Sequence, residues 1–536
     1  MSSFFKSRKQ RKKHQPDAET PTHPEDHLQE SLSDNLEIIR EKTGKSSDVI
    51  VRHVKMGEQS RIQTAIIYIE GIVDEQFIQE FLLQSMMKDE HKESLNERDA
   101  LEVISDNMMT VGSVSSFQTW EDLFSYLMEG DTIVLIDGIA KGLSACTKGG
   151  ETRAISESTT QMVVRGPKGA FTECIATNTA MVRRIIKSPD LWMESVKVGR
   201  VTKTDVNVMY IHGIVNEEVV KEVRERLNKI DIDSILESGY IEQLIEDQTM
   251  TPFPTIFNTE RPDVVAGNLF EGRVAIFVDG SPFVLIAPAV FIQFFQSAED
   301  YYARFDIATS LRLLRVLMFA ISLIAPATFV AVTTFHQEMV PTTLIVAIAA
   351  QRESVPFPAF VEALLMEITF EILREAGIRL PKAIGSAVSI VGALVIGQAA
   401  VQASIVSPAM VIIVSMTAIA SFATPSFDMA ISARLIRFLF MIGAATFGFY
   451  GIILIFLMMV VHLTSLRSFG VPYMAPLAPF IPVNNKDTFV RLPWWTLKQR
   501  PRLLSANTTR EGSKQGPEIP ASRKMVNQEG GGSNES

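Results

Sequence analysis

YIEGIVDE, residues 68–75, returns as YIHGIVNE at residues 210–217. Tyr68 and Tyr210 are 142 residues apart, and the same offset separates LMEGDTIVLIDG (127–138) from LFEGRVAIFVDG (269–280). A chance match would not hold its register into a second, distant block, so the chain carries two copies of one structural unit. Each copy has a β-rich apolar run, AIIYI (65–69) or NVMYI (207–211), and a later strand ending in Asp-Gly. Between the two, each copy carries an amphipathic helical stretch, such as DEQFIQEFLLQSM (74–86). This is an α/β pattern. Asp137-Gly138 and Asp279-Gly280 read as turns, because both residue types tolerate the backbone angles a turn needs.

Between the copies, VVRGPKGAFTECIATNTAMVRRIIKSPDLW (163–192) places Gly166, Pro167 and Gly169 in a loop before a helix ending in Arg183, Arg184 and Lys187. Such a loop can cradle an anion. It lacks the Gly-Lys-Ser/Thr ending of a P-loop and the spacing of a dinucleotide fingerprint, so a structural turn is the favoured reading.

The 536 residues exceed what one hydrophobic core normally serves. Charge crowds the first three hundred positions and the last seventy, whereas 316–464 is mostly Ala, Ile, Val, Leu, Phe and Met. A net charge of -10 argues against a nucleic-acid binder. Cys146 and Cys174, the two cysteines, exclude a disulfide scaffold or a cysteine-ligated zinc site, and are expected to be small buried hydrophobes. The basic cluster Lys6, Arg8, Lys9, Arg11, Lys12 and Lys13 has no apolar run behind it, which predicts a solvated cytoplasmic tail rather than a secretory signal. No nucleophile elbow or HExxH motif occurs and the eight histidines are scattered, so no catalytic, cofactor or metal site is expected.

The expected domains are a disordered basic tail (1–40), two related cytoplasmic α/β subdomains (41–140 and 141–305), a helical membrane domain (306–470) and a mostly disordered C-terminal tail (471–536). The second subdomain ends in FVLIAPAVFIQFFQSAEDYYARFD (283–306), read either as an interfacial helix or as a buried last helix. Length and lack of charge give four bilayer crossings: 316–335, two within 383–427 with a turn at Ser407-Pro408, and 438–461. Arg312 and Arg315 precede the first, and Arg434 and Arg437 the last. PAFVEALLMEITFEILREAG (358–377) carries Glu362, Glu367, Glu371, Arg374 and Glu375, too many charges for a lipid-facing span, and is read as lying at the interface or packed inside an oligomer. The positive-inside rule is in tension with this count. Arg374, Arg379 and Lys382 want the cytoplasm, and so do Arg467, Lys486, Arg491, Lys498, Arg500 and Arg502; four crossings satisfy only the second set.

Ser386, Ser389, Ala393, Gly397, Ala400 and Ser404 follow three-four spacing along one helix face and are all small. Close helix packing and a pore lining, with Gln398 and Gln402 on an adjacent flank, both fit that pattern. Glu362 and Glu367 are the candidate carboxylates of an ion path.

The runs VVRGPKGAFTE, TPFPTIFNTERPDVVAGNLFEGRVAIFVDGSPFVLIAPAVFIQFFQSAEDYY and LRSFGVPYMAPLAP resemble the A subunit of GerA-type nutrient germination receptors of endospore-forming bacteria, over about 45–480. A paralogous group, the SpoVAF-type proteins, shares these motifs. The resemblance implies a multi-pass protein of the spore inner membrane, its large N-terminal region on the core side. It implies a transporter-like B subunit that binds nutrient and a lipoprotein C subunit as partners. It also implies a pentameric, nutrient-gated cation channel, which favours the small-residue helix as pore liner. The alternative function is a scaffold that organises those partners without conducting ions.

Overall fold

The computed structural model describes residues 26–56, 62–78, 113–149, 157, 158, 160–379, 395–510, 512 and 516. The chain divides into two compact units, the first formed by residues 1–151 with 187–189 and the second by the remainder.

The first unit opens with α1 (Leu32–Lys42) and holds a sheet of β1 (Val49–Met56), β2 (Ile62–Ile69), β3 (Val114–Phe117), β4 (Thr132–Ile136) and β5 (Gly142–Ala145), in the order β1-β2-β4-β5-β3. All its pairings are antiparallel. Helix α2 (Trp120–Glu129) packs on it, capped by Thr119, whose hydroxyl accepts from Asp122 N.

The second unit repeats the plan. After α3 (Ile175–Ile185) come β6 (Leu191–Val198) and β7 (Thr204–Ile211). The helices α4 (Glu217–Lys229) and α5 (Ser238–Ile245) follow, then β8 (Phe257–Thr259), α6 (Pro262–Phe270), β9 (Val274–Val278) and β10 (Val284–Ala287). The sheet order is β6-β7-β9-β10-β8, antiparallel throughout. β1, β2, β4 and β5 coincide with β6, β7, β9 and β10 when shifted by 142 residues, so the repeat legible in two short motifs extends to the whole sheet. The central strands read apolar at nearly every position because both faces of the sheet are covered: Ile133, Val134, Leu135 and Ile136 are buried in one copy, Ala275, Ile276, Phe277 and Val278 in the other.

The Asp-Gly turns have a definite task. Asp137 Oδ1 accepts from Leu32 N at 3.0 Å, and Gly138 N donates to Glu30 O. In the second copy Asp279 Oδ1 accepts from Ile175 N at 3.2 Å, and Gly280 N donates to Glu173 O. Asn35 and Asn178 then tie the same helices to the preceding chain through matching side-chain bonds to Gln29 and Thr172. Each turn therefore anchors the first N–H of the helix that opens its copy.

Several expectations are revised. Order begins before residue 40, since α1 starts at Leu32. The first sheet runs past residue 140, because β5 is its fourth strand in space. Cys146 and Cys174 are free and exposed, one just beyond β5 and the other at the N-terminal cap of α3. Residues 283–306 form no interfacial helix: they supply β10, a 3-10 turn (Phe291–Phe295) and a short helix (Glu299–Tyr302). Phe294 and Phe295 are buried, against Phe257 and Tyr473 and against Phe291 and Phe319 respectively. The C-terminal segment is also ordered to residue 510, because its groups dock on the second unit. Tyr473 O accepts from Phe291 N, Ala506 N donates to Ile214 O, and Arg500 Nε donates to Phe270 O.

The 163–170 loop is a structural turn. The buried Glu260 carboxylate accepts from the hydroxyls of Ser158 and Thr160 and from the backbone of Thr160 and Gln161. Arg261 donates to Gln161 O and Pro167 O. The N–H groups of Val164 and Arg165 are taken by the Glu299 carboxylate.

Helices α7 (Phe305–Thr334), α8 (Thr342–Arg352), α9 (Ala359–Arg379), α10 (Pro408–Ser421), α11 (Phe427–Phe447) and α12 (Phe449–Ser465) complete the second unit. Among the described residues, α7 and α11 are long and apolar enough to cross a membrane, and α10 and α12 are shorter apolar helices. α7 starts beside the sheet and, at about 1.5 Å per residue, rises ~45 Å to a far end at Thr334.

Residues 438–461 are two helices. The chain turns back at Gly448, whose φ of +61° and neighbouring His336 ring, 2.6 Å from where a Cβ would sit, leave room for glycine alone. Beside the turn Gly443 and Gly451 touch: a Cβ on Gly451 would lie 2.0 Å from Gly443 O. Both open ends of this hairpin return to the sheet, where Asn258 Nδ2 donates to Asp428 at 2.7 Å and Thr251 Oγ1 lies 2.9 Å from His462 Nε2.

Candidate functional site

The helical bundle contains charges that apolar surroundings would strongly disfavour unless paired. Of the four glutamates of α9, three meet partners from other helices, and Glu375 pairs with the exposed Arg379 of its own helix. Glu362 is completely buried; it accepts from Arg352 Nε at 3.1 Å and from Ser407 N at 3.0 Å. Glu367 is paired with Arg437 of α11, whose Nε also donates to Ser322 O of α7. Glu371 takes Arg434 of α11 and Arg374 of its own helix, and Arg374 reaches Ser421 at the end of α10. The result is a ladder of three interhelical ion pairs tying α9 to α8 and α11, extended by hydrogen bonds to α7 and α10.

This geometry corrects the reading of 358–377 as an interfacial helix. Ala359, Ala363 and Met366 join the bundle's apolar core, and the small residues let α9 approach its neighbours closely enough for the pairs to form. It also sets the sense of the helices. Glu371 meets Arg434 seven residues into α11, near the sheet, whereas Glu362 meets Ser407 at the start of α10. α9 and α10 therefore both run toward the sheet, while α7 and α11 run away from it.

Glu362 and Glu367, the expected ion-path carboxylates, stand in these pairs, with Glu367 Oε1 left without a hydrogen-bond partner. Glu362 does a specific job. The backbone is irregular between the helical residues 395–402 and α10, with Ser404 at φ +55°, and Glu362 satisfies the Ser407 N–H that this break frees. Their partners were not identified from sequence: Arg352 and Arg437 lie ten and seventy residues from the glutamates they meet. The available signal was the surplus of charge in 358–377, which demanded partners from other helices.

Of the small-residue face, Ser386, Ser389 and Ala393 lie outside the described residues. Gly397 and Ala400 fall within the helical residues 395–402, and Ser404 lies just past them. Gly397 is buried, its missing Cβ 3.8 Å from Val411 of α10, and Ala400 packs partly against the same core. Gly397 thus lies beside Val411 and also lines the groove it shares with Gln398 and Gln402. Gln398 and Gln402 are exposed; they line an open groove of about 1190 Å³ whose other walls come from α9 and α10, including Phe370, Val411 and Ile419. Among the described residues no cluster of His, Cys, Asp and Glu could hold a metal ion.

Comparison with known proteins places these features. The family model described as Bacillus/Clostridium GerA spore germination protein matches residues 8–503. Spore germination protein KA of Bacillus subtilis (strain 168) is 61% identical over 500 residues, spanning 93% of this chain and 91% of that protein. Spore germination protein A1 of the same organism is 40% identical over 485 residues, 89% of this chain and 96% of its own length. The crystal structure of the N-terminal domain of the A subunit of the Bacillus megaterium spore germinant receptor GerK3 covers 50% of this chain and 98% of that domain, with 62% identity and a TM-score of 0.41. With the family model matching residues 8–503 and a relative 61% identical over 93% of the chain, the chain belongs to the GerA spore germination protein family.

Proposed function

We propose that this chain is the A subunit of a nutrient-sensing germination receptor that crosses the spore inner membrane and assembles, with further copies and with B and C subunits, into a nutrient-gated cation channel. The α/β units and the C-terminal segment lie on the core side. Six traverses replace the four expected from hydropathy: α7, α9, α10, α11 and α12, and one that the chain must make between the sheet-side end of α9 and the far-side start of α10. α10 and α12, at 14 and 17 residues, are shorter than the roughly 20 residues a free span needs, which irregular backbone buried in protein accommodates. Six crossings remove the topological conflict in the sequence. Arg374 and Arg379 come to the same side as Arg467 and the cations beyond it, while Lys382 lies outside the described residues.

The observation that carries the channel reading is the contrast between two sets of polar groups. The charges of α9 are neutralised inside the chain, whereas Gln398 and Gln402 remain uncommitted on an open face next to the small-residue stretch. Copies arranged around an axis would present that weakly polar face to a shared lumen, a lining suited to passage without tight binding.

The test is ion flux across membranes containing the assembled receptor, with and without nutrient, for the native chain and for Gln398→Leu and Gln402→Leu. Nutrient-dependent flux that these substitutions alter, with assembly intact, supports the channel. Native complexes that assemble, respond to nutrient and pass no ions would make the chain the scaffold of its partners. Labelling of single cysteines at 379 and 336 in a background lacking Cys146 and Cys174 tests the topology, which fails if both positions react from one side.

A further inference from the structure

Away from the bundle, the C-terminal segment closes over one edge of the second α/β sheet and encloses a set of charges that no contact described above uses. Arg273, just before β9, is 3% exposed, and its Nε and Nη1 have no hydrogen-bond partner. Its carboxylate neighbour Glu271 stands 3.6 Å from Nη2, too far for a hydrogen bond. Arg510 repeats the arrangement from the other side: its Nη2 is also 3.6 Å from Glu271, and its Nε is buried without a partner. Two guanidinium groups thus converge on one carboxylate without either forming the bidentate geometry that makes a buried pair favourable.

The remaining acids nearby are committed. Asp300 takes both Arg312 and Arg315, and Asp487 takes Arg312 and the Tyr301 hydroxyl. Arg273, Arg312, Arg315, Arg510 and the buried Arg491 therefore face Glu271, Asp300 and Asp487, leaving two positive charges in excess. Burial disfavours the charged form of Arg273, and Glu271 beside it only partly offsets this.

The space for an anion exists. Glu271, Arg273 and Asp487 line a cavity of about 60 Å³, well above the roughly 10–15 Å³ that one enclosed water needs. A second cavity, about 230 Å³, shares the Glu271, Asn484, Asp487 and Pro501 walls and is bordered by Arg510 and by the exposed Lys486 and Lys498. We propose that the two adjoining cavities form a binding site for a small oxyanion of phosphate or carboxylate type, gripped by Arg273 and Arg510, with Lys486 and Lys498 at the entrance. Because its walls come from both the sheet and the C-terminal segment, the occupied site fastens that segment to the second α/β unit.

Inorganic phosphate and acetate are the probes, titrated against the full chain in maltoside micelles, which contribute no phosphate of their own, with chloride at matched ionic strength as control. Saturable binding and a rise in melting temperature are expected for the native chain with at least one of the two probes. Arg510→Gln should weaken that binding at least tenfold, and so should Arg273→Gln. Arg510 is partly exposed, so its variant decides the matter if Arg273→Gln does not fold. Absence of saturable binding with both probes overturns the proposal, as does an equal stabilisation by chloride or unchanged affinity in Arg510→Gln.

Discussion

Arg437 of α11 donates to Glu367 of α9 in the interior of the helical bundle, where both side chains are almost completely buried. Removing one partner strands the other charge among apolar side chains. Glu367→Ala or Arg437→Ala alone is expected to cost about 3–5 kcal/mol, whereas replacing both by apolar residues of similar volume recovers most of that loss. A double-mutant cycle on thermal unfolding in micelles checks this; additive losses would show that the pair is not coupled.

Glu362 is expected to matter for a different reason, because it accepts the backbone N–H of Ser407 at the break before α10. Glu362→Gln keeps an acceptor and should retain assembly, while Glu362→Ala leaves both Ser407 N–H and Arg352 uncompensated and should cost about 2–4 kcal/mol. Protection of the Ser407 amide from hydrogen exchange is the readout, and it should fall in the Ala variant first.

Gly451 and Gly443 hold the α11–α12 hairpin closed by backbone contact. Gly451→Ala forces the two helices apart and should lower the melting temperature by more than Gly470→Ala, whose added Cβ meets nothing within 4 Å but whose φ of +78° still strains an alanine. Equal effects at both positions would show that backbone strain, not helix contact, sets the cost.

Glu242 of α5 gives a pH-dependent prediction. Burial first, and the neighbouring Asp428, Glu246 and Glu237 next, push its carboxyl from 4.5 up to about 8, with a hydrogen bond from Asn258 acting the other way. The folded chain keeps this proton where the unfolded chain has released it. The stability present below about 4.5 is therefore lost progressively as pH rises through about 8. Glu242→Gln should flatten the melting temperature between pH 5 and 8.5 and exceed the native value at the alkaline end; a native-like slope would rule Glu242 out as its source.

The two Asp-Gly turns should behave alike. Asp137→Ala and Asp279→Ala each remove the acceptor for the first N–H of a helix and are expected to cost about 1 kcal/mol, with Asn at either position retaining most of the bond. Urea unfolding of the full chain resolves the difference.

The sequence alone determined the duplication, because a fixed offset between matching motifs is a one-dimensional property, and the α/β character of each copy, because strand and helix periodicities are local. It located the apolar helices, since hydropathy needs no partner to be read. It did not reveal that 438–461 turns back at Gly448: the run is apolar on both sides of the turn, and the Gly443–Gly451 contact exists only once two helices meet. Nor did it reveal the role of 358–377. Charge content marked that helix as too polar for lipid, but Arg352, Arg434 and Arg437 reach its carboxylates from other helices, and only the packed bundle brings them there. Gly397 makes the same point at one residue. Its small size fits a pore wall and a tight helix contact equally well in sequence, and the structure sets it both beside Val411 and along the groove it shares with Gln398 and Gln402. Local pattern fixes which segments are helices and strands; the pairing of buried charges, which depends on distances across the bundle, is decided by tertiary structure.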